Sequence, residues 1–189
     1  MDLLKKKILE VGVLLSKDVI KLDAILNHQV DPELTMEMGK AFASRFGEAG
    51  IDKVITIESS GIPIAFATAL QLKVPLVFAR RKKTLTTDEE NWSERVPSFT
   101  KGIVTDIVVS KEFLKEGERV LIIDDMIANG DAARGLIRVI RRAGAVVAGM
   151  GIAVEKSFQS GGRSIREAGI EVESLVKIAS MENGQIMFE

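Results

Sequence analysis

The sequence predicts an α/β fold, a mostly parallel sheet flanked by helices. Three observations point to it. Short apolar runs recur from residue 51 onward, at 54–57, 75–79, 103–109, 120–123, 146–154 and 172–178. Helical patterns at 62–72, 132–143 and 163–168 alternate with them. The first 50 residues have another texture and read as helical. Bounded apolar strands alternating with helices indicate a sheet covered on both faces.

In chain order, 2–15 and 32–49 carry apolar residues at three- and four-residue spacing, the mark of one buried helical face. Pro32 suits a first helical turn, and Asp31 is positioned to cap it. Between them, 16–31 mixes polar and apolar residues and contains Asn27 and His28. The later runs are the strands, and ligands of such sheets sit beyond the strands' carboxyl ends. Residues 80–100, RRKKTLTTDEENWSERVPSFT, are polar and lack a clear period. A loop of that length in a compact domain reads as a functional lid or a disordered stretch. Trp92 within it is expected to anchor the segment to the body.

Composition narrows the function. A chain of 189 residues forms one domain with a sizeable core. Its net charge of −1 argues against nucleic-acid binding by bulk charge. Without cysteine there is no disulfide framework and no thiolate nucleophile, and a single histidine excludes a multi-histidine metal site. The apolar run 11–15 is short and interrupted by Gly12, so neither a signal peptide nor a membrane span is expected. The chain reads as cytoplasmic.

The strongest motif is VLIIDDMIANGDA, residues 120–132. Four apolar residues form a buried strand; the acids Asp124 and Asp125 follow, then a small-residue turn and a helix from Ala132. A helix start leaves backbone N–H groups unpaired and carries the positive end of the dipole. Ala128, Gly130 and Ala132 let a phosphate approach those groups. The acids can accept hydrogen bonds from vicinal hydroxyls. The alternative is a plain capped helix, with Asp131 as N-cap and the acids solvated. A second strand-to-helix turn, Ile57-Glu58-Ser59-Ser60-Gly61-Ile62, offers amides and two hydroxyls to an anion, or simply a helix cap.

The 120–132 segment resembles the 5-phosphoribosyl 1-diphosphate (PRPP) signature of the type I phosphoribosyltransferases. The resemblance implies that Ala128, Asn129, Gly130, Asp131 and Ala132 hold the PRPP 5′-phosphate and that Asp124 and Asp125 bind the ribose as catalytic residues. It implies that Ser59, Ser60 and Gly61 belong to the pyrophosphate loop, although Ser60 stands where arginine is common. Arg80, Arg81, Lys82 and Lys83 are candidates for the missing charge. Asp131 departs from the pattern by putting a negative charge near a phosphate.

The resemblance extends over nearly the full length through LDAILNHQVDP (22–32), TIESSGIP (56–63), SFTKG (98–102) and EKSFQSGG (155–162). These match the xanthine-using members of bacterial purine salvage. They imply that Ile20, Asn27 and Lys156 contact xanthine and that the enzyme is a homodimer; Phe158, close to Lys156, can pack against an aromatic ring. The helical region 1–50 would contribute to the base pocket as a hood, and 80–100 would be the flexible lid. Mg²⁺ is expected to arrive as the PRPP or pyrophosphate complex, with no dedicated metal site. Within the family, hypoxanthine, guanine or adenine are alternative bases. A nucleotide-sensing regulator that binds nucleic acid is the alternative outside it.

Overall fold

The computed structural model describes residues 1–82, 90–98 and 103–189. Among them, eight strands form one sheet. Its centre is β3 (Lys53–Ile57), flanked by β4 (Leu76–Lys82) and β7 (Arg119–Ile127). Outward from β7 lie β8 (Val146–Lys156), β9 (Val172–Glu182) and β10 (Gln185–Phe188); outward from β4 lie β6 (Ile103–Ser110) and β5 (Asn91–Ser98). Strands β4, β3, β7, β8 and β9 are parallel, whereas β5, β6 and β10 join in antiparallel pairs. All five residues of β3 are buried, Lys53 and Thr56 among them, as are Val120–Ile123 of β7, whose four apolar residues read as one unbroken run.

Each sheet face carries its own core. Helix α4 (Asp131–Arg142) packs Leu136 and Ile140 with Ile55 and Ile122 on one face. On the other, α2 (Pro32–Phe46) and α3 (Ile62–Leu72) pack Phe42 and Ile64 with Val54 and Leu121. Glycines at 149 and 151 make room for this packing, since a Cβ at either would lie 2.6 Å from the ring of Phe46 or Phe42.

The amino-terminal region is less helical than its pattern predicts. α1 (Asp2–Val11) stops at Gly12, whose extended backbone leads into β1 (Val13–Leu14), paired with β2 (Ile20–Lys21). One π-helical turn follows at Asp23–Asn27. α2 starts as expected: Pro32 is in the first turn and the Asp31 carboxylate accepts the Leu34 N–H at 3.0 Å. That bond, with Lys7 at 3.0 Å, holds the Asp31 carboxyl below its usual range.

The segment 80–100 is corrected more strongly. Arg80 and Arg81 continue β4, and Asn91–Ser98 is a full strand in register with β6. Its alternation was hidden because one inward position is acidic. Glu94 is turned inward between Trp92 and Val96 and receives Arg138 at 2.7 Å and Arg142 at 2.8 Å from α4. Trp92 does anchor the segment, donating its indole N–H to the Leu114 carbonyl at 3.3 Å. Residues 83–89 and 99–102, which hold Lys83 and most of SFTKG, lie outside the described residues.

The chain leaves β3 toward β4 on one side and later returns to β7, β8 and β9 on the other. The order therefore reverses between β3 and β7. The turns after these two strands border the crevice such a reversal creates.

Candidate active site

Both acids lie inside β7 rather than after it, because the strand runs on to Ile127. Successive strand residues face opposite sides, so adjacent carboxylates take different surroundings. Asp125 Oδ2 accepts the side-chain N–H of Asn27 at 3.0 Å, from the π-helical turn of the amino-terminal region. Asp124 Oδ1 accepts the Asp125 backbone N–H at 3.0 Å and lies against Gly61. A Cβ on Gly61 would come 2.7 Å from that oxygen and 2.3 Å from Thr56 Oγ1. The turn after β3 and the acid pair are thus in direct contact.

Burial, reinforced by the Asp125 carboxylate, pushes the Asp124 carboxyl well above its usual range. An acid with a raised folded pKa favours the fold while protonated, and that contribution is lost as pH rises through the folded value. Asp124→Asn removes the penalty. We expect the variant's gain in Tm over the parent, without ligand, to be smallest near pH 4 and to grow toward neutrality. Thermal melts across that range check this; a difference independent of pH would give Asp124 an ordinary carboxyl.

The turn after β7 closes with Gly130 at φ 80°, a left-handed conformation open to glycine, and this residue is the N-cap of α4. Asp131 is therefore the first helical residue and not the cap. Its carboxylate is taken by Arg134 at 2.6 Å. The first N–H groups of α4 lack intrahelical partners and lie beside the turn.

A cleft of about 660 Å³ runs along this turn, lined by Asp124, the whole stretch from Ala128 to Ala132, Ile20 and Lys156. Residues separated by more than a hundred positions thus meet in one cavity. Lys156 is 7% exposed and donates to the Asp18 carbonyl of the amino-terminal region at 2.6 Å. Burial lowers its ammonium below the ordinary lysine value, opposed by the charge of Asp18. Phe158 is on the surface and does not line the cleft. Gln159, which the motif did not single out, does, and its buried Oε1 has no hydrogen-bond partner among the described residues. Neither Asn27 nor Asp125 lines the cleft; Asn27 meets the acid pair through Asp125.

The turn Glu58–Gly61 borders the cleft without lining it. Ser59 is exposed and Ser60 half-buried. Glu58 accepts the Arg81 backbone N–H at 2.6 Å and pairs with Arg80 at 2.9 Å. Of the basic run, Arg81 lines the cleft. Another cavity, about 730 Å³, opens beyond Arg81 past Leu76, Phe78 and Phe113, but it has neither acid pair nor small-residue turn. Among the described residues no cluster of His, Cys, Asp and Glu could hold a metal ion. Nor is any described helix long and apolar enough to cross a membrane.

Support behind the cleft was also unread in the sequence. Glu155, 3% exposed, is gripped by Arg166 at 2.7 and 2.6 Å and by the Ser174 hydroxyl. Burial would raise its carboxyl, but these donors hold it below the usual range. The pair ties α5 (Gly161–Glu167) to the strand end that carries Lys156.

Residues 23–164 match the phosphoribosyl transferase domain family. The chain is 52% identical over 187 residues to a protein of Moorella thermoacetica named xanthine phosphoribosyltransferase, covering 99% of this chain and 95% of that one. A Bacillus cytotoxicus protein of the same name is 52% identical over 188 residues, covering 100% and 95%. Among solved structures, adenine phosphoribosyltransferase of Rhodothermus marinus superposes with a TM-score of 0.74 at 26% identity, covering 94% of this chain and 100% of that one. The Trypanosoma brucei adenine enzyme gives 0.74 at 19% identity over 92% and 79%, a likeness of fold.

Proposed function

The chain belongs to the phosphoribosyl transferase family, and on that premise we propose that it transfers the 5-phosphoribosyl group of PRPP to xanthine. The products are xanthosine 5′-monophosphate (XMP) and pyrophosphate, and the setting is purine salvage. The observation that carries the reading is the meeting, in one cleft, of Asp124, the small-residue turn at the start of α4 and Lys156. The relatives named for xanthine, at 52% identity over nearly the whole chain, support the choice of base.

In this reading residues Ala128–Ala132 receive the 5′-phosphate on backbone N–H groups. Asp124 and Asp125 accept from the ribose hydroxyls. As the C1–oxygen bond to pyrophosphate breaks, C1 becomes cation-like, and the paired carboxylates stabilise it electrostatically. A xanthine ring nitrogen forms the new bond to C1, and its proton passes to solvent. Xanthine brings its own nucleophile, so the protein's work is positioning and charge stabilisation. Ser59, Ser60, Gly61 and Arg81 are the candidates for the departing pyrophosphate. Mg²⁺ enters with PRPP as part of the substrate and neutralises pyrophosphate charge.

At the base end, Lys156 donates to the 6-oxygen, Ile20 packs on the ring and Gln159 offers an acceptor beside them. Asn27 acts through Asp125 or reads a further ring edge. Phe158 needs a rotation toward the cleft to stack. An adenine-using enzyme fits less well, because a 6-amino group would set a donor against the Lys156 donor. We further propose a homodimer in the cytoplasm, with no nucleic-acid partner. Incubation with PRPP, Mg²⁺ and xanthine should yield XMP and pyrophosphate in equal amounts. Pyrophosphate without XMP, or no consumption of PRPP, would refute the proposal.

A further inference from the structure

Asp131 places a carboxylate within the turn assigned to a phosphate, a like-charge conflict that has to be resolved somewhere in the structure. The resolution lies one helical turn on. Arg134 Nη2 contacts Asp131 Oδ1 at 2.6 Å, and Arg134 Nη1 donates to the Ser164 hydroxyl at 3.0 Å. The same Nη1 would lie 3.1 Å from a Cβ on Gly130, so the guanidinium is laid against the turn itself. Ser164 donates onward to the Gly161 carbonyl at 2.9 Å, and the Gly161 N–H donates to the Ala128 carbonyl at 2.9 Å. The contacts close a ring: the turn, the first turn of α4, and α5 packed behind. A Cβ on Gly161 would sit 2.3 Å from the Ala128 oxygen and 2.8 Å from the Gly130 nitrogen, so the two backbones are in contact.

From this we infer that Arg134 is a positioning residue for PRPP: it neutralises Asp131 and ties the phosphate turn to α5, so that a phosphate dianion meets no uncompensated carboxylate. The inference rests on the phosphate reading of the turn. Asp131 is a liability that Arg134 cancels, and not a ligand. Asp131 directs the guanidinium sideways into an i, i+3 pair, leaving the backbone N–H groups of α4 to meet the phosphate. Each residue accounts for the other: without Arg134 the acid would repel PRPP, and without the acid the arginine would be free to turn toward the phosphate.

A two-residue cycle tests this by PRPP titration calorimetry on the full chain. Arg134→Gln, which leaves Asp131 unpaired, should weaken PRPP binding by about tenfold or more at low salt. The loss should shrink as ionic strength rises. Adding Asp131→Asn to that variant should restore affinity to within about threefold of the parent, a coupling that purely structural damage would not give. Asp131→Asn alone should tighten binding, because Arg134 is then released toward the phosphate. If Arg134→Gln does not fold, this last variant still decides, since weaker binding by Asp131→Asn overturns the inference. Unchanged affinity in Arg134→Gln overturns it too, as does a double variant no better than the single one. Gly130→Val serves as the control on the underlying reading. If it binds PRPP normally, the turn is not the phosphate site; if it fails to bind while Arg134→Gln is unaffected, only the role of Arg134 is lost.

Discussion

Gly130→Val is expected to abolish measurable PRPP binding. Gly130 has φ 80°, which a β-branched residue adopts only under strain, and its Cβ would lie 2.9 Å from Gly161 Cα. Relief requires the turn to leave its left-handed geometry, which scatters the N–H groups at the start of α4. Two or three hydrogen bonds to a charged phosphate are then lost, each worth about 1.5–3 kcal/mol. Together they amount to at least about a hundredfold in affinity. The strain itself costs about 1–3 kcal/mol, spent at a surface turn rather than in the sheet. A lower Tm with the fold retained should therefore accompany the loss in calorimetry. Unchanged affinity would remove this turn from the site.

Lys156→Met should reduce kcat/KM for xanthine by about a hundredfold. The substitution keeps the stem volume and removes the charge and every donor. Lys156 is buried at the end of β8 and tied to the Asp18 carbonyl at 2.6 Å, so it is held rather than mobile. A purine 6-oxygen left without its charged donor loses roughly 1–3 kcal/mol or more. Stability should change little, because a buried ammonium is costly to desolvate and its removal offsets the lost bond to Asp18. Steady-state kinetics with xanthine, together with a thermal melt, check both halves. Full activity in the variant would mean that another residue reads the 6-oxygen.

The parts of the site that are contiguous in the chain were legible in the sequence. Val120 to Ala132 carries strand, acids, turn and helix start in one motif, and the fold sets them around one crevice in that order. Parts made by tertiary contact were not. Nothing near Asp131 marked Gly130 as the cap; that follows from a backbone torsion. Gly161 is remote in sequence from the turn it supports, and nothing in EKSFQSGG marks its glycines for that contact. The hidden strand Asn91–Ser98 has the same origin. Glu94 breaks the apolar alternation, and its inward direction makes sense only with Arg138 and Arg142 of α4 in place. Phe158 is the reverse case: its place beside Lys156 suggests a ring contact, whereas its side chain is turned to the surface.

The choice of xanthine as the base is decided by kcat/KM for xanthine, guanine, hypoxanthine and adenine at saturating PRPP and Mg²⁺, followed by pyrophosphate release. Xanthine should lead. Guanine and hypoxanthine keep the 6-oxygen but alter or lack the 2-oxygen, and should fall below it. Adenine should trail by about tenfold to a few hundredfold, the penalty for facing the Lys156 ammonium with an amino group. Adenine as the best substrate would overturn the assignment of xanthine.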